Sequence, residues 1–286
     1  MVGQRDWAAV LVFSLLGLAL VSGCREKPQP SGSEIVMPKV EQVPSSLEDP
    51  VWQKAPEHVA KLLLQDIMEP RQLEVTTAEL RVRAVRDERK AAFRLQWRDA
   101  TKDELPGPGK FLDACALQVP AEEAVSLPAP QMGEPGRVVE ILFWNAGWQA
   151  MVEGRADRLQ ALYPNAWVDH YPYEALPLKG NPSLQREMER LYLPARALGN
   201  NRWGPRSLAV EEYLAQGPGT LTPKKNSGGG GIGKYSRDGW SVLLTRSLPR
   251  SRYVAFAVWD GAQGEAGARK MRTSWIPLRE PKSPRK

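Results

Sequence analysis

The sequence is poor in the side chains that most protein-based metal sites use. Its 286 residues include two cysteines, Cys24 and Cys115, and two histidines, His58 and His170. Two cysteines exclude a disulfide-rich scaffold and a zinc site with four cysteine ligands. The histidines are far apart in the sequence and have no carboxylates at metal-binding spacing. The chain is nevertheless 42% hydrophobic and long enough to bury a sizeable core.

Strong charge imbalance and catalytic signatures are also missing. Lys and Arg number 39 against 33 Asp and Glu, which gives a net charge of +6 and does not indicate nucleic-acid binding. The motif at Gly228–Lys234 ends before Tyr235, where a nucleotide-binding loop requires Ser or Thr. We therefore expect residues 217–234 to form a flexible basic loop. The neighbouring Glu211 and Glu212 are expected on a solvated face, and the sequence shows no obvious catalytic set.

The N-terminus has the features of a secretory signal. Arg5 precedes an apolar run from Trp7 to Val21, which is short for a membrane span. The segment Leu20–Cys24 resembles a bacterial lipobox, which predicts a signal peptide at 1–23 and lipidation of Cys24. An ordinary cleaved signal and an uncleaved anchor are the alternatives. Arg25, rather than Asp, favours an outer-membrane, periplasm-facing position in a Gram-negative host. Residues 24–45 are rich in Pro, Ser and charge and predict a flexible tether.

Residues 46–286 predict one mainly β domain. Apolar residues alternate with period two in several short segments that end at Pro, Gly or Asp, which favours an antiparallel β-sandwich. A long, partly helical insertion is expected at about 149–209, with a short helical pattern at 156–162. Cys115 lies in an apolar stretch and is expected in the core. The 10 tryptophans outnumber the 5 phenylalanines, and packing between sheets is their expected role.

A series of short motifs adds a family resemblance. In chain order they are Trp97–Asp99, Phe111–Pro120, Pro130–Gly133, Trp144–Trp148, Leu214–Thr222, Asp238–Trp240, Ala255–Gly261 and Arg269–Lys270. The series resembles the haem-b-binding gamma subunits of the ethylbenzene dehydrogenase and dimethylsulfide dehydrogenase type, with their cytochrome c-552/DMSO reductase-like haem-binding domain. The resemblance covers roughly residues 50–280.

This resemblance implies a β-sandwich that holds one non-covalent haem b. The family's axial ligands, carried over by motif, correspond to Met132 and Lys270. The implied function is electron transfer without catalysis by this subunit. Its implied partners are a molybdenum catalytic subunit, an iron–sulfur subunit and c-type cytochromes. Met271 is the competitor next to Lys270, but strand alternation directs it to the opposite face. Methionine ligation favours reduced iron, so a low-spin haem of relatively high potential is expected.

Two other functions stay open on the residues alone. Similar sandwiches bind carbohydrates through exposed aromatic side chains, and residues 163–173 are rich in Tyr and Trp. A haem-free, lipid-anchored binding module is therefore one alternative. A lipoprotein assembly factor without any ligand is the other. The lipobox and the Gly-rich segment are departures from the family pattern, and they leave the partner enzyme undetermined.

Overall fold

A computed structural model describes residues 33–123, 126–155, 163–165, 178–184, 186–187, 206–225 and 228–281. Within these residues the chain forms two β-sheets that pack face to face, which confirms the predicted mainly β sandwich. The larger sheet contains β1 (Ile35–Val36), β3 (Leu63–Leu64), β6 (Ala114–Pro120), β7 (Val139–Asn145), β8 (Val210–Ala215), β9 (Thr222–Pro223), β12 (Tyr253–Trp259), β13 (Met271–Arg272) and β14 (Ile276–Arg279). The smaller sheet contains β2 (His58–Lys61), β4 (Glu79–Arg86), β5 (Lys90–Trp97), β10 (Gly230–Ser236) and β11 (Gly239–Ser247).

The central strands of the larger sheet are paired on both sides. Its main path runs β1-β14-β12-β6-β7-β8-β9, and β13 joins β12 to β3 at the side. All pairs are antiparallel except β1 with β14. Strands β12, β6, β7 and β8 are adjacent, and β6 is buried along its whole length. Because both faces of β6 are covered, apolar residues occur at consecutive positions in its sequence.

The main core lies between the two sheets. Phe93 of β5 meets Phe256 of β12 edge-to-face with ring centroids 6.2 Å apart. Cys115 is fully buried in this core, as predicted. At one end, Trp97, Trp144 and Trp240 form a cluster in which the last two ring centroids are 4.9 Å apart. Part of the tryptophan excess therefore stabilises the sandwich itself.

The Gly-rich segment is a strand where it was predicted to be a loop. Residues 230–236 form β10, which pairs along its whole length with β11, and residues 222–223 form β9. A Cβ atom at Gly231 would lie 2.3 Å from Val210, and one at Gly233 would lie 2.2 Å from Trp144. The glycines therefore allow β10 to pack closely against the larger sheet.

Two further expectations need correction. Residues 24–45 were predicted to be a tether, but Ile35 is fully buried and β1 pairs with β14. The short apolar run at 35–37 extends the larger sheet despite its polar surroundings. Glu211 and Glu212 are buried rather than solvated, because Arg206 and Lys224 supply opposite charges to them at 3.0 and 3.8 Å.

The predicted insertion is described only in part. Helix α1 (Ala146–Val152) follows β7 directly and is capped by the Asn145 side chain, which accepts the Trp148 N–H at 2.8 Å. The helical pattern at 156–162 lies outside the described residues, as do His170 and Cys24. Two 3₁₀ turns, Pro50–Gln53 and Gly261–Gln263, and short helical stretches at 182–184 and 186–187 are also present in the described chain. None of the described helices has the length and apolar character needed to cross a membrane.

Candidate functional site

A cavity of about 810 Å³ lies on the outer face of the larger sheet, opposite the sandwich core. Its floor consists of alternate residues of β6, β7 and β12, and the intervening residues of the same strands point into the core. The floor residues are Ala114, Ala116, Ile141, Phe143, Ala255, Ala257 and Trp259. The volume lies within the roughly 300–1,000 Å³ that is usual for small-molecule and cofactor sites.

Small side chains in the floor leave this space open. Ala116 is directly opposite Ala257 on one side and Phe143 on the other. Phe143 in turn contacts Trp148 and Trp259 edge-to-face, with centroid distances of 5.5 and 5.4 Å. The cavity thus combines an alanine floor with aromatic side chains beside it. This combination suits a large apolar ligand with a π-system.

Met132 reaches the cavity from a tight turn between β6 and β7. It is the one non-glycine residue with positive φ in the described chain, at φ 70°. The Gly133 N–H donates to the Ala129 carbonyl at 2.9 Å, and the Gly217 N–H donates to the Met132 carbonyl at 2.8 Å. Such a conformation costs on the order of 1–3 kcal/mol and persists where the surroundings fix it. The turn therefore holds the Met132 thioether at the cavity in a fixed backbone geometry.

Lys270 lies immediately before β13 and lines the same cavity. Its Nζ atom lies 5.0 Å from the Trp259 ring centroid, and it forms no ion pair within the described part of the chain. Burial lowers the pKa of Lys270 to about 8, and the positive charge of Arg272 adds to this effect. Met271 is fully buried in the core between the sheets, so the prediction that it faces away from Lys270 is confirmed.

Several cavity residues were not anticipated from the sequence. Arg272 lines the cavity, and its Nε atom is buried without a hydrogen-bond partner. Lys110 and Met68 lie at the same cavity, the latter 40% exposed. Trp148 also lines it, and the Arg206 guanidinium carbon lies 4.0 Å from the Trp148 ring centroid. No sequence pattern marks a single basic or methionine residue in a loop as part of a site. Arg272 was an exception: it lies two residues after Lys270, so strand alternation places both side chains on the same face.

The residues present at the cavity fit a haem. Met132 and Lys270 supply one thioether and one amine, and iron is coordinated by the amine only when it is deprotonated, which the lowered pKa of Lys270 favours. The Arg272 Nε–H, which has no hydrogen-bond partner, and the Lys110 ammonium are donors suited to the carboxylate groups of a haem. His58 is buried in the smaller sheet and does not line this cavity.

The fold and this cavity define a β-sandwich with a cofactor-sized site on one sheet. The model of the family described as ethylbenzene dehydrogenase matches residues 49–271. The chain therefore belongs to the ethylbenzene dehydrogenase family.

Two relatives have names that refer to reductase subunits. A candidate respiratory nitrate reductase heme subunit, ORF7, of Haloferax mediterranei is 24% identical over 283 residues, which span 94% of this chain and 80% of the relative. The chlorate reductase subunit gamma of Ideonella dechloratans is 24% identical over 247 residues, which span 80% and 77% of the two chains.

Solved structures give a weaker similarity. A carbohydrate binding module of family 9 from Caldicellulosiruptor kristjanssonii, in complex with cellotriose, aligns with a TM-score of 0.39 and 8% identity. That alignment covers 86% of this chain and 94% of the module. The module in complex with glucose aligns with a TM-score of 0.35 and 9% identity. Similarity at this level carries no conclusion about ligand or function.

Proposed function

We propose that this protein is a haem b electron-transfer subunit or lipoprotein. The observation that carries the proposal is the convergence of Met132 and Lys270, from two separate loops, on one cavity with aromatic walls. Membership of the ethylbenzene dehydrogenase family and two relatives named as reductase subunits support it. When bound, haem iron supplies one-electron exchange between its ferric and ferrous states.

In this proposal each part of the cavity has a separate task. Met132 and Lys270 would hold the haem iron, and with two protein ligands the iron would exchange electrons rather than bind a substrate. Ala116, Ala257 and the aromatic residues beside them hold the apolar ring. Arg272 and Lys110 receive the propionate carboxylates. None of these roles makes or breaks a bond, so the subunit relays electrons and does not itself catalyse a reaction.

The proposed partners are those that the family resemblance implies. We infer that electrons pass between a molybdenum catalytic subunit with its iron–sulfur subunit and periplasmic or membrane c-type cytochromes. The names of the relatives refer to nitrate reductase and chlorate reductase, and these names support a reductase complex as the partner. The catalytic subunit, and not this chain, determines which substrate the complex acts on.

The test is a visible spectrum of the purified full chain after expression with ample haem. We expect a Soret band, a pyridine haemochrome spectrum of b type and close to one haem per chain. A redox titration should give one reversible one-electron transition at a relatively high potential. Chain that folds but remains colourless under these conditions would overturn the proposal and favour a haem-free binding module.

Filling the cavity is expected to remove haem without unfolding the protein. Ala116 is 5% exposed, and its methyl group faces the cavity rather than the sandwich core. In Ala116→Phe the larger ring would occupy the space above the alanine floor, so the haem content should fall at least about tenfold. The unfolding temperature of the apoprotein should change little. Ala78→Phe, at an exposed position away from the cavity, is the control and should retain haem.

We also propose that Cys24 carries a lipid anchor that places the domain at a periplasm-facing membrane surface. The lipobox sequence before Cys24 supports this proposal. Cys24→Ser should move the chain from the detergent phase to the aqueous phase in Triton X-114 partitioning, because acylation provides the membrane affinity. Cys115→Ser is the matched control, since this buried thiol is not available for acylation. Unchanged partitioning of Cys24→Ser would contradict the anchor.

A further inference from the structure

Three aspartates meet at the edge of the sandwich, outside the haem-sized cavity. Asp99 follows β5, Asp113 precedes β6 and Asp260 follows β12. One carboxylate oxygen from each lies within 4.8 Å of the corresponding oxygens of the other two. Calcium binds oxygen at about 2.4 Å, so two ligands on opposite sides of one ion are about 4.8 Å apart. The three oxygens can therefore belong to a single coordination sphere.

The negative charge of this cluster has no balancing cation within the described chain. Among the residues that the structure describes, no Lys or Arg pairs with any of the three aspartates, and Asp103 and Glu265 add two more carboxylates nearby. Burial raises the pKa of Asp99 to about 7, and Asp113 contributes further. Burial also raises the pKa of Asp113 to about 6 and raises that of Asp260. Since unpaired buried carboxylates are costly, a cation or a proton must offset this charge.

Asp99 and Asp113 differ in how their oxygens are held. Asp113 accepts three N–H groups, from Gly261 and Trp240 at 2.9 Å each and from Asp103 at 2.7 Å. These three donors favour the ionised form, which a cation also requires, but burial outweighs them and keeps the pKa of Asp113 raised.

Asp99 is 7% exposed, and its Oδ1 accepts the Thr101 N–H at 3.1 Å. Its Oδ2 atom is buried and makes no hydrogen bond of ordinary geometry, and the Trp97 indole N–H that faces this carboxyl makes none either. A buried carboxylate oxygen without a full hydrogen bond, beside two further carboxylates, is a suitable cation ligand.

We propose that Asp99, Asp113 and Asp260 bind a divalent cation of the calcium type. An all-oxygen donor set without His or Cys favours a hard cation over zinc. Asp260 is only half-buried, so water can complete the shell from its side. The flexible coordination of calcium tolerates such a mixed shell better than the strict octahedron of magnesium.

The cation would connect three segments, two of which also border the cavity. Phe111 and Leu112 precede Asp113, and both line the cavity. Asp260 caps the 3₁₀ turn Gly261–Gln263, after which Glu265 and Ala266 line it as well. The proposed role of the ion is therefore to fix this edge of the cavity, and it is independent of whether the cavity holds haem.

The experiment uses the full chain after chelator treatment, at pH 7.5. Calcium at 100 times its dissociation constant should raise the unfolding temperature by about 5 °C or more, and magnesium should raise it less. Tb³⁺ should give sensitised luminescence on excitation at 295 nm, because the Trp240 indole nitrogen lies 2.9 Å from Asp113 Oδ2. Excess calcium should displace this signal.

Variants assign the effect to the three carboxylates. Asp260→Asn keeps the size of a half-exposed side chain and should weaken calcium binding at least about tenfold. Asp99→Asn should abolish both the thermal shift and the Tb³⁺ signal. Asp238→Asn, in the exposed turn between β10 and β11, is the control and should bind like the unmodified chain.

Two results would overturn the proposal. One is a chelated chain whose unfolding temperature and Tb³⁺ luminescence do not respond to the ions. The other is a chain that is insensitive to calcium and more stable at pH 5.5 than at pH 7.5, since a proton would then balance the buried charge. Both measurements can be made on haem-free protein, so failure of the haem proposal would not affect them.

Discussion

Replacing Lys270 with alanine is expected to leave the haem iron with one open axial position. The Soret band should shift and the spectrum should take on high-spin features, because the strong-field amine is lost. Haem affinity should fall at least about tenfold, since even outer-shell changes at metal sites cost about 10–100-fold. The measurements are the visible spectrum, haem transfer to apomyoglobin and the reduction potential. Lys270→His, which restores a nitrogen donor, should recover a low-spin spectrum.

Substitution of methionines distinguishes the two candidate sulfur ligands, Met132 and Met68. Met132→Leu keeps the size and apolar character of the side chain but removes the sulfur, so it should lower the reduction potential and the haem affinity. Met68→Leu is the matched control, because Met68 lines the same cavity. Met271→Leu is a second control at a residue that is fully buried in the core. If Met68→Leu changed the spectrum and Met132→Leu did not, the assignment of the axial thioether would be wrong.

Replacing Gly233 with alanine is expected to be the most destabilising single-methyl addition in β10. The new Cβ would lie 2.2 Å from Cζ2 and 2.7 Å from Cε2 of Trp144. Trp144 cannot move away easily, because it is fully buried between Trp97 and Trp240. Its indole N–H also donates to Gln149 Oε1, which accepts the Gly233 N–H at 2.8 Å. We expect a loss of about 3 kcal/mol in the free energy of unfolding.

The control for this substitution lies on the same Gly-rich segment. A Cβ at Gly228 would meet the Ser247 hydroxyl at an ordinary 3.5 Å, so Gly228→Ala should change stability by less than about 0.5 kcal/mol. Chemical denaturation followed by tryptophan fluorescence measures both variants. Trp144→Phe should partly relieve the clash, so the double variant with Gly233→Ala should lose less than the sum of the two single losses. Equal stability of the two glycine variants would contradict the proposed packing.

The sequence predicts where the strands lie better than it predicts which face of each strand meets the core and which meets the cavity. Alternation is regular over residues 80–84 of β4 and 93–97 of β5, because there one face of each strand meets the core and the other is less buried. In β6 every residue is buried, so no alternation distinguishes the cavity floor at Ala116 from the core at Leu117. Strand β10 was missed for a different reason. Glycine lowers β-propensity in general, and the need for glycine here arises from Trp144 and Val210, which are distant in the sequence.

The site was predictable in part and for a specific reason. Met132 and Lys270 were assigned through the family resemblance, and the structure places both at one cavity. Residue patterns alone do not bring them together, because they lie in loops more than 130 positions apart in the chain. The aspartate cluster is similar in this respect. Asp99, Asp113 and Asp260 each look like a turn residue, and only the pairing of β6 with β12 brings two of them to the same edge.

The position of the cavity on the outer face has a consequence for how the protein matures. Nearly all residues of the main core lie outside the cavity lining, Phe256 being shared, so the polypeptide can reach its folded form before any cofactor arrives. A chain exported unfolded through a membrane could fold first and be loaded afterwards at the destination. The ligand-free form would then be a productive assembly intermediate, and its accumulation under haem limitation would be reversible on adding haem.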